Sequence, residues 1–262
     1  NPAVYIGAFE DIRVLFAQSE MAKQRGLNAS AFSFNSAQGQ CERCRGAGFE
    51  KIEMQFLSDV FIRCPDCNGR RYRPHILEVK LQAPGSSREW SIGDVLEATV
   101  DEVVDFLASF ADSSQAKRAA AGLKLLQETG LGYLRLGQPV TTLSGGESQR
   151  LKLVSHLAEV EGAAVDKDSK PILFLFDEPT TGLHFEDVRV LLKVFQRLVD
   201  AGHSVVVVEH NLEVIKSADW VVDLGPDAGE DGGRLVGEGT PEEIAQIPGS
   251  YTGRFLSTVL KS

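Results

Sequence analysis

Four cysteines stand in two equal pairs, Cys41-x2-Cys44 and Cys64-x2-Cys67, with 19 residues between the pairs. Each pair can put two thiolates on one tight turn, and the separation falls in the range of four-cysteine zinc ribbons. Zn²⁺ takes four such ligands in a tetrahedron, so a full thiolate set leaves no open position and gives the metal a structural task only. Gly46, Gly48 and Gly69 follow the pairs, where backbone N–H groups need room to turn toward sulfur. Four unrelated free thiols would not fall into two equal pairs, which leaves two disulfides as the competing assignment. They suit a secreted chain, and no basic-then-apolar leader opens this one.

A second set of residues could handle a nucleotide. Leu143-Ser144-Gly145-Gly146-Glu147-Ser148-Gln149-Arg150 reads as the opening of a helix. Two glycines let an anion approach the backbone, Ser144 offers a hydroxyl, and a helix N-terminus carries partial positive charge. The apolar run Ile172–Phe176 ends in Asp177-Glu178, which lifts two carboxylates to the carboxyl edge of a sheet, where ligands sit in open α/β folds. Asp177 is placed to reach Mg²⁺ directly or through water. Glu178, one residue on, faces the other way and could polarise an attacking water. Val205–Val208 delivers Glu209 and His210 to the same edge, where a histidine can meet a γ-phosphate. Each signal alone has a plain structural reading as a turn or a solvated strand end; their order along one chain makes the case.

Composition bounds the partners. The 262 residues are 43% hydrophobic and 24% charged, an ordinary globular balance that excludes a disordered or fibrous chain. The longest apolar runs are four or five residues, far below the ~20 that span a bilayer, so no membrane partner is expected. Net charge is −10, which argues against a polyanion ligand, but the charge is uneven. Residues 1–80 carry 11 Lys+Arg against 9 Asp+Glu, and Arg63, Arg70, Arg71 and Arg73 fall within eleven residues. A nucleic acid would dock there, with Tyr72 available to stack on a base; a solvated charged rim is the bland alternative.

These residues need a frame. A helix is expected over Phe9–Gln24, with Ile12, Leu15, Phe16 and Met21 on one face. Helices recur from Ser91 to Glu128, where Val95, Leu96, Val100, Val103, Val104, Leu107 and Phe110 form an apolar face and Gly130 stops the last one. A helix follows Gly146 to about Val160, and the polar segment 161–170 reads as a surface loop. Buried strands are expected at Ile172–Phe176 and Ser204–Val208 and a third strand at Trp220–Leu224, alternating with helices at Phe185–Val199, Leu212–Lys216 and Pro241–Ile247. That alternation predicts an α/β fold with a mostly parallel sheet flanked by helices. Four parts follow: a helical segment 1–35, a four-cysteine module 36–80, a helical subdomain 81–143 and a core 144–262.

The motif series resembles the ATPase core of the ABC superfamily, with signature Leu143–Gln149, Walker B strand through Glu178, D-loop Thr181–His184 and switch His210. Cys41–Gly48 alone also resembles the cysteine repeats of J-protein chaperones, but Arg70-Arg71 after Gly69 breaks that pattern. The stretches Asp177–His184, Glu209–Leu212 and Leu131–Gln138 are similar to the UvrA family, the damage-recognition ATPases of bacterial nucleotide excision repair. That family also carries a two-CxxC zinc module ahead of an ABC signature, and Glu147 in place of the commoner glutamine is in keeping with it. The likeness covers nearly the whole chain, best over 32–80 and 130–242, and is to the C-terminal of the two ATPase halves.

The resemblance implies ATP and Mg²⁺ as cofactors of the complete protein beside structural Zn²⁺. It implies damaged double-stranded DNA, UvrB and a second UvrA copy as partners, in the cytoplasm. By the same resemblance Glu178 and His210 are catalytic, Asp177 orders Mg²⁺, and Ser144, Gly145, Gly146 and Glu147 clamp a nucleotide held by another domain. One departure stands out. No Gly-x4-Gly-Lys-Ser/Thr occurs in the chain, nor an identifiable Q-loop glutamine; in this family both would lie upstream of Asn1. The chain is therefore expected to be a piece of a longer protein, inactive as an ATPase by itself. Other readings are a zinc-dependent nucleic-acid or protein-binding module without activity, and a UvrA paralogue kept for drug resistance. A transporter ATPase domain has no need of the four-cysteine module.

Overall fold

Residues 1–52, 60–85, 87–163, 171–225 and 232–260 are described by a computed structural model, which divides into two units, Asn1–Gly162 and Ala163–Ser262. The first opens with helices α1 (Pro2–Tyr5), α2 (Ala8–Ala17) and α3 (Glu20–Gln24). The single helix expected over Phe9–Gln24 is broken at Gln18-Ser19, because Ser19 turns extended and its hydroxyl accepts the Ala22 N–H to cap α3. Ile12, Leu15 and Phe16 are buried as their spacing predicts, whereas Met21, beyond the break, is exposed.

Two antiparallel pairs follow. Strands β1 (Phe49–Ile52) and β2 (Val60–Arg63) pair Phe49 with Arg63, and β3 (Lys80–Gln82) and β4 (Glu89–Ser91) pair Lys80 with Ser91; α4 (Pro74–Leu77) lies between the pairs. Helices α5 (Ile92–Glu97) and α6 (Val100–Ala108) each start at a reciprocal capping box, Ser91 with Asp94 and Thr99 with Glu102. Helix α7 (Ser114–Glu128) packs on both α2 and α6, and Gly130 stops the chain at φ +70°. The core holds Val95, Leu96, Val100, Val103, Val104 and Leu107 as expected. Trp90 stacks on Phe106 with ring centroids 4.7 Å apart. Helix α8 (Gly145–Ala163) outruns its expected end near Val160, so the first three residues of the loop expected at 161–170 are helical, and residues 164–170 lie outside the described ones.

The second unit is a β-α-β unit and a hairpin. Strand β5 (Leu173–Asp177), helix α9 (Phe185–Asp200) and strand β6 (Ser204–Val208) bring the two strands parallel, Asp177 opposite Val208. Helix α9 buries Val188, Leu191, Val194, Phe195 and Leu198, and its Phe195 stacks on Phe176 at 5.0 Å. The strands are not buried as expected. One face turns to α9; on the other, Leu173, Leu175, Val206 and Val208 are exposed, Leu175 to 71%. After α10 (Leu212–Ile215), strands β7 (Val221–Gly225) and β8 (Arg234–Gly239) pair antiparallel. Helices α11 (Pro241–Ile244) and α12 (Tyr251–Val259) pack on each other, and α11 packs on the β7–β8 pair. Ser250 and Thr252 at the start of α12 donate to the buried Asp223 of β7. Trp220, just before β7, is exposed.

The fold is α/β, but the expected mostly parallel sheet is four two-stranded sheets among the described residues, with β5–β6 the parallel pair. The reason is connection length. A parallel pair needs a crossover, which α9 supplies; the strands of the other pairs are separated by only six to eight residues, too few for one, and short connections give antiparallel pairing. Among the described residues no helix is long and apolar enough to cross a membrane.

Candidate functional site

The β1–β2 hairpin separates the cysteine pairs in sequence and folds them face to face in space. All four Sγ atoms lie within 4.8 Å of one another, with Cys41 to Cys64 at 3.9 Å and Cys44 to Cys67 at 3.6 Å. Sulfurs around a tetrahedral Zn²⁺ stand about 3.8 Å apart, given Zn–S bonds of about 2.3 Å; disulfide sulfurs stand about 2.05 Å apart. All four cysteines are buried and free, so the disulfide alternative falls and the donor set fits zinc.

The two turns repeat one backbone. Arg45, Gly46 and Gly48 have φ of +50°, +83° and +81°, and Asn68, Gly69 and Arg71, at the same offsets from Cys67, have +48°, +85° and +71°. Such angles aim N–H groups at sulfur: Gly48 donates to Cys44 at 3.3 Å, joined by Gly46, while Arg71 and Gly69 donate to Cys67. Burial nevertheless pushes the Cys67 thiol up to about 12 and raises Cys44 as well; at Cys64 burial is outweighed by the N–H groups of Cys67 and Asp66, and the thiol is lowered. Deprotonated sulfurs at Cys44 and Cys67 therefore need a cation beside them.

The basic residues divide. Arg63 and Arg70 are exposed, and with Arg135, Asn68 and Gln138 they border a cleft of about 280 Å³; Arg70 lies 3.8 Å from Asp94. Arg71 donates through Nη2 to the Gly137 carbonyl at 2.8 Å and sits 5.3 Å over the Phe34 ring. Arg73 donates to the carbonyls of Gln40 and Ala37 and pairs with Glu42 at 3.1 Å. Tyr72 is not available to stack on a base, contrary to the expectation from the sequence. It is 1% exposed, and its hydroxyl donates to the Phe32 carbonyl at 2.8 Å: a large aromatic in this unit is worth more in the core than on the rim.

Ser144, Gly145, Gly146 and Glu147 form the first turn of α8. The Glu147 carboxylate accepts the Ser144 N–H at 2.7 Å and the Ser144 hydroxyl accepts the Glu147 N–H at 3.3 Å, a capping box that uses side chains of the Leu143–Gln149 motif itself. The Tyr133 hydroxyl also donates to Glu147. That bond, against some desolvation and aided by Ser144, holds the Glu147 carboxyl below the usual range.

In the second unit the parallel strands deliver their ends together. Asp177 closes β5, and the Glu178 N–H continues the ladder to the Val208 carbonyl at 2.8 Å. Glu178 then takes φ +43°, in the left-handed region that costs a side-chain-bearing residue energy. Its Oε1 lies 3.6 Å from His210 Nε2, and Thr181 Oγ1 donates to its Oε2 at 3.2 Å. Glu209 holds this edge. Its carboxylate accepts the backbone N–H groups of Thr180, His210 and Asn211 at 2.8, 2.8 and 2.9 Å. Burial opposes ionisation there, but those donors outweigh it and keep Glu209 below the ordinary carboxylate range.

Comparison with known proteins finds relatives over the whole length of the chain. The UvrABC system protein A of Aquifex aeolicus is 50% identical over 261 residues, spanning 100% of this chain and 26% of that protein. That of Bacillus subtilis is 49% identical over 261 residues, 100% and 25%. The crystal structure of UvrA2 from Deinococcus radiodurans superimposes with a TM-score of 0.83 at 46% identity, over 98% of this chain and 29% of that one. Over its whole length the chain is similar to UvrA proteins. It spans about a quarter of the length of the curated relatives it matches. No family model matches it.

Three residues that carry the geometry are given no role by the sequence, although all three lie in the motifs quoted from it. Glu209 was legible as an acid beside a strand-end histidine, where loop amides lack partners. Tyr133 and Arg135 lie inside the Leu131–Gln138 motif, but nothing in a sequence says that this segment meets both the signature turn and the arginine cleft.

Proposed function

We propose that this chain supplies two part-sites and the zinc module of an ATP-dependent DNA-damage recognition protein. The observation that carries the reading is the convergence of Asp177, Glu178 and His210 on one strand edge, with Glu178 3.6 Å from His210. ATP with Mg²⁺ supplies the phosphoanhydride to be cleaved. Asp177 would hold the metal ion, Glu178 would orient a water and take its proton as the water attacks the γ-phosphorus and ADP leaves, and His210 would stand on the γ-phosphate side of the site. Glu209 fixes the backbone of residues 209–211, so the histidine is presented without reorganisation. Ser144, Gly145 and Gly146 clamp a nucleotide bound by another domain, with the capping box keeping the turn formed.

Cys41, Cys44, Cys64 and Cys67 hold one Zn²⁺ and set the module beside the DNA path. Arg63 and Arg70 keep exposed charge for phosphate; Arg71 and Arg73 have their donors engaged on carbonyls. In the complete protein, the UvrA dimer in the cytoplasm binds damaged duplex and loads UvrB, and the P-loop comes from sequence outside this chain. The four parts 1–35, 36–80, 81–143 and 144–262 are functional divisions in this reading.

The test is Glu178→Gln in the full-length protein. Turnover is expected to fall by about 10²–10⁴, the usual worth of a general base, with ATP affinity unchanged. Unchanged turnover would remove Glu178 from its role. Lesion recognition is read by fluorescence anisotropy on damaged and undamaged duplexes of one sequence at fixed salt; equal binding would remove the repair reading and leave the zinc module for another partner.

A further inference from the structure

The two cysteine turns are twins in backbone, and at one matching position a glycine in the first stands against an arginine in the second. Four residues after the second cysteine of each pair stand Gly48 and Arg71, both at positive φ, +81° and +71°. Glycine adopts this angle freely and arginine does not. Gly48 has a second reason to be glycine. A Cβ there would stand 2.8 Å from the Gly69 carbonyl oxygen and 3.1 Å from Arg71 Cγ, so the Arg71 stem occupies the space its counterpart leaves empty. An arginine held at a glycine's angle, in a turn whose twin uses glycine, implies that its side chain does something a glycine cannot.

What it does is visible at both ends. Its carbonyl accepts the Cys41 N–H at 2.8 Å, and its own N–H donates to Cys67, so its backbone touches both cysteine pairs. Its guanidinium, seated over Phe34, donates to the Gly137 carbonyl at 2.8 Å, 66 residues along the chain. Gly137 is itself tightly placed. Its N–H donates to the Leu96 carbonyl at 2.7 Å, and a Cβ would meet Leu96 atoms at 2.8 Å. Beyond it the chain reaches the signature through tight turns: Gln138 donates to Thr142 Oγ1, and that hydroxyl donates to the Pro139 carbonyl. On the other side of Gly137, Tyr133 donates to Glu147 and the Thr129 carbonyl accepts from Arg150. The segment 129–138 thus clasps the first turns of α8.

We propose that Arg71 is a positioning residue that couples the metal-bound state of the four-cysteine module to the Ser144–Glu147 turn through its hydrogen bond to Gly137. The proposal rests on the zinc and nucleotide readings above. It makes Arg71 a mechanical link between them rather than a contact to DNA phosphate. Loss of the metal frees the backbone of Arg71, withdraws the guanidinium from Gly137, and loosens the clasp on the turn that would face a nucleotide. A contiguous set of contacts is only a route; coupling has to be measured.

The measurement is hydrogen–deuterium exchange on the reduced chain, zinc-loaded and after chelation, for the parent, Arg71→Gly and Arg71→Met. Glycine accepts the positive φ and removes the donor; methionine keeps the stem over Phe34 and removes only the donor. In the parent, chelation should speed exchange over 136–147 by about tenfold or more, while α2 and α7 keep their protection. Both variants should still bind one zinc yet exchange over 136–147 at the chelated parent's rate, with chelation adding nothing. Variants that keep parental protection while loaded overturn the coupling. Protection lost equally from α2 and α7 overturns it as well, since that marks general destabilisation. A parent chain that takes up no zinc removes the metal reading itself, and its stoichiometry distinguishes that failure from the others.

Discussion

Glu178 holds a left-handed backbone at φ +43° while presenting its carboxylate beside His210. Backbone energy is spent on aim, at roughly 1–3 kcal/mol for such a residue. Glu178→Gly should therefore make the chain up to about 1 kcal/mol more stable while abolishing turnover in the complete protein; thermal melts of the two chains compare them, and a lower melting temperature would deny the strain. Glu209 gives a pH signature. Its folded pKa is depressed, so its contribution is complete above the unfolded value of about 4.3 and disappears as pH falls below it. Glu209→Gln should destabilise the second unit at pH 7 and flatten its acid sensitivity below pH ~4, as urea titrations at both pH values would report. The aspartate–glutamate pair and His210 were legible because strand ends and residue types announce them. The strain at Glu178 was not, because a sequence shows no φ.

At the scale of elements, the cysteine module was the most legible part, since two equal pairs at ribbon spacing leave few alternatives. Cys67→Ala should abolish uptake of one zinc per chain, checked by metal analysis after dialysis, and cost the module its fold, because a small hairpin pair has little core of its own. A melt unchanged by that substitution would make the metal dispensable. Ser144 reads in sequence as a phosphate-facing hydroxyl; in the structure it is also the N-cap of α8, so Ser144→Ala should cost about 1 kcal/mol of stability before any nucleotide is considered. The helix break at Ser19 was missed for the opposite reason: Ile12, Leu15, Phe16 and Met21 keep nearly helical spacing across it, and a cap competes with that period only locally. Tyr72 was misplaced because a tyrosine between arginines reads the same on a rim as in a core.

For the whole molecule, the face of β5–β6 away from α9 is the outlying feature. Parallel strands occur almost always with both faces covered, and here Leu173, Leu175, Val206 and Val208 stand open. The sequence reads them as buried because Val- and Leu-rich runs flanked by turns normally are; periodicity does not say what covers a face. Apolar surface of this kind drives association, so sedimentation velocity of the isolated chain should show concentration-dependent self-association that Leu175→Lys suppresses. Association unaffected by that charge would place the sticky surface elsewhere. The placement of the two tryptophans bears on every experiment above. Trp90, stacked on Phe106, lies in the first unit, and Trp220, open to water, lies in the second. The chain therefore carries one intrinsic fluorophore per unit, a shielded blue-emitting one and a hydrated red-emitting one. A Trp90→Phe and a Trp220→Phe variant would turn a single denaturation experiment into two separate unfolding curves, without an added label.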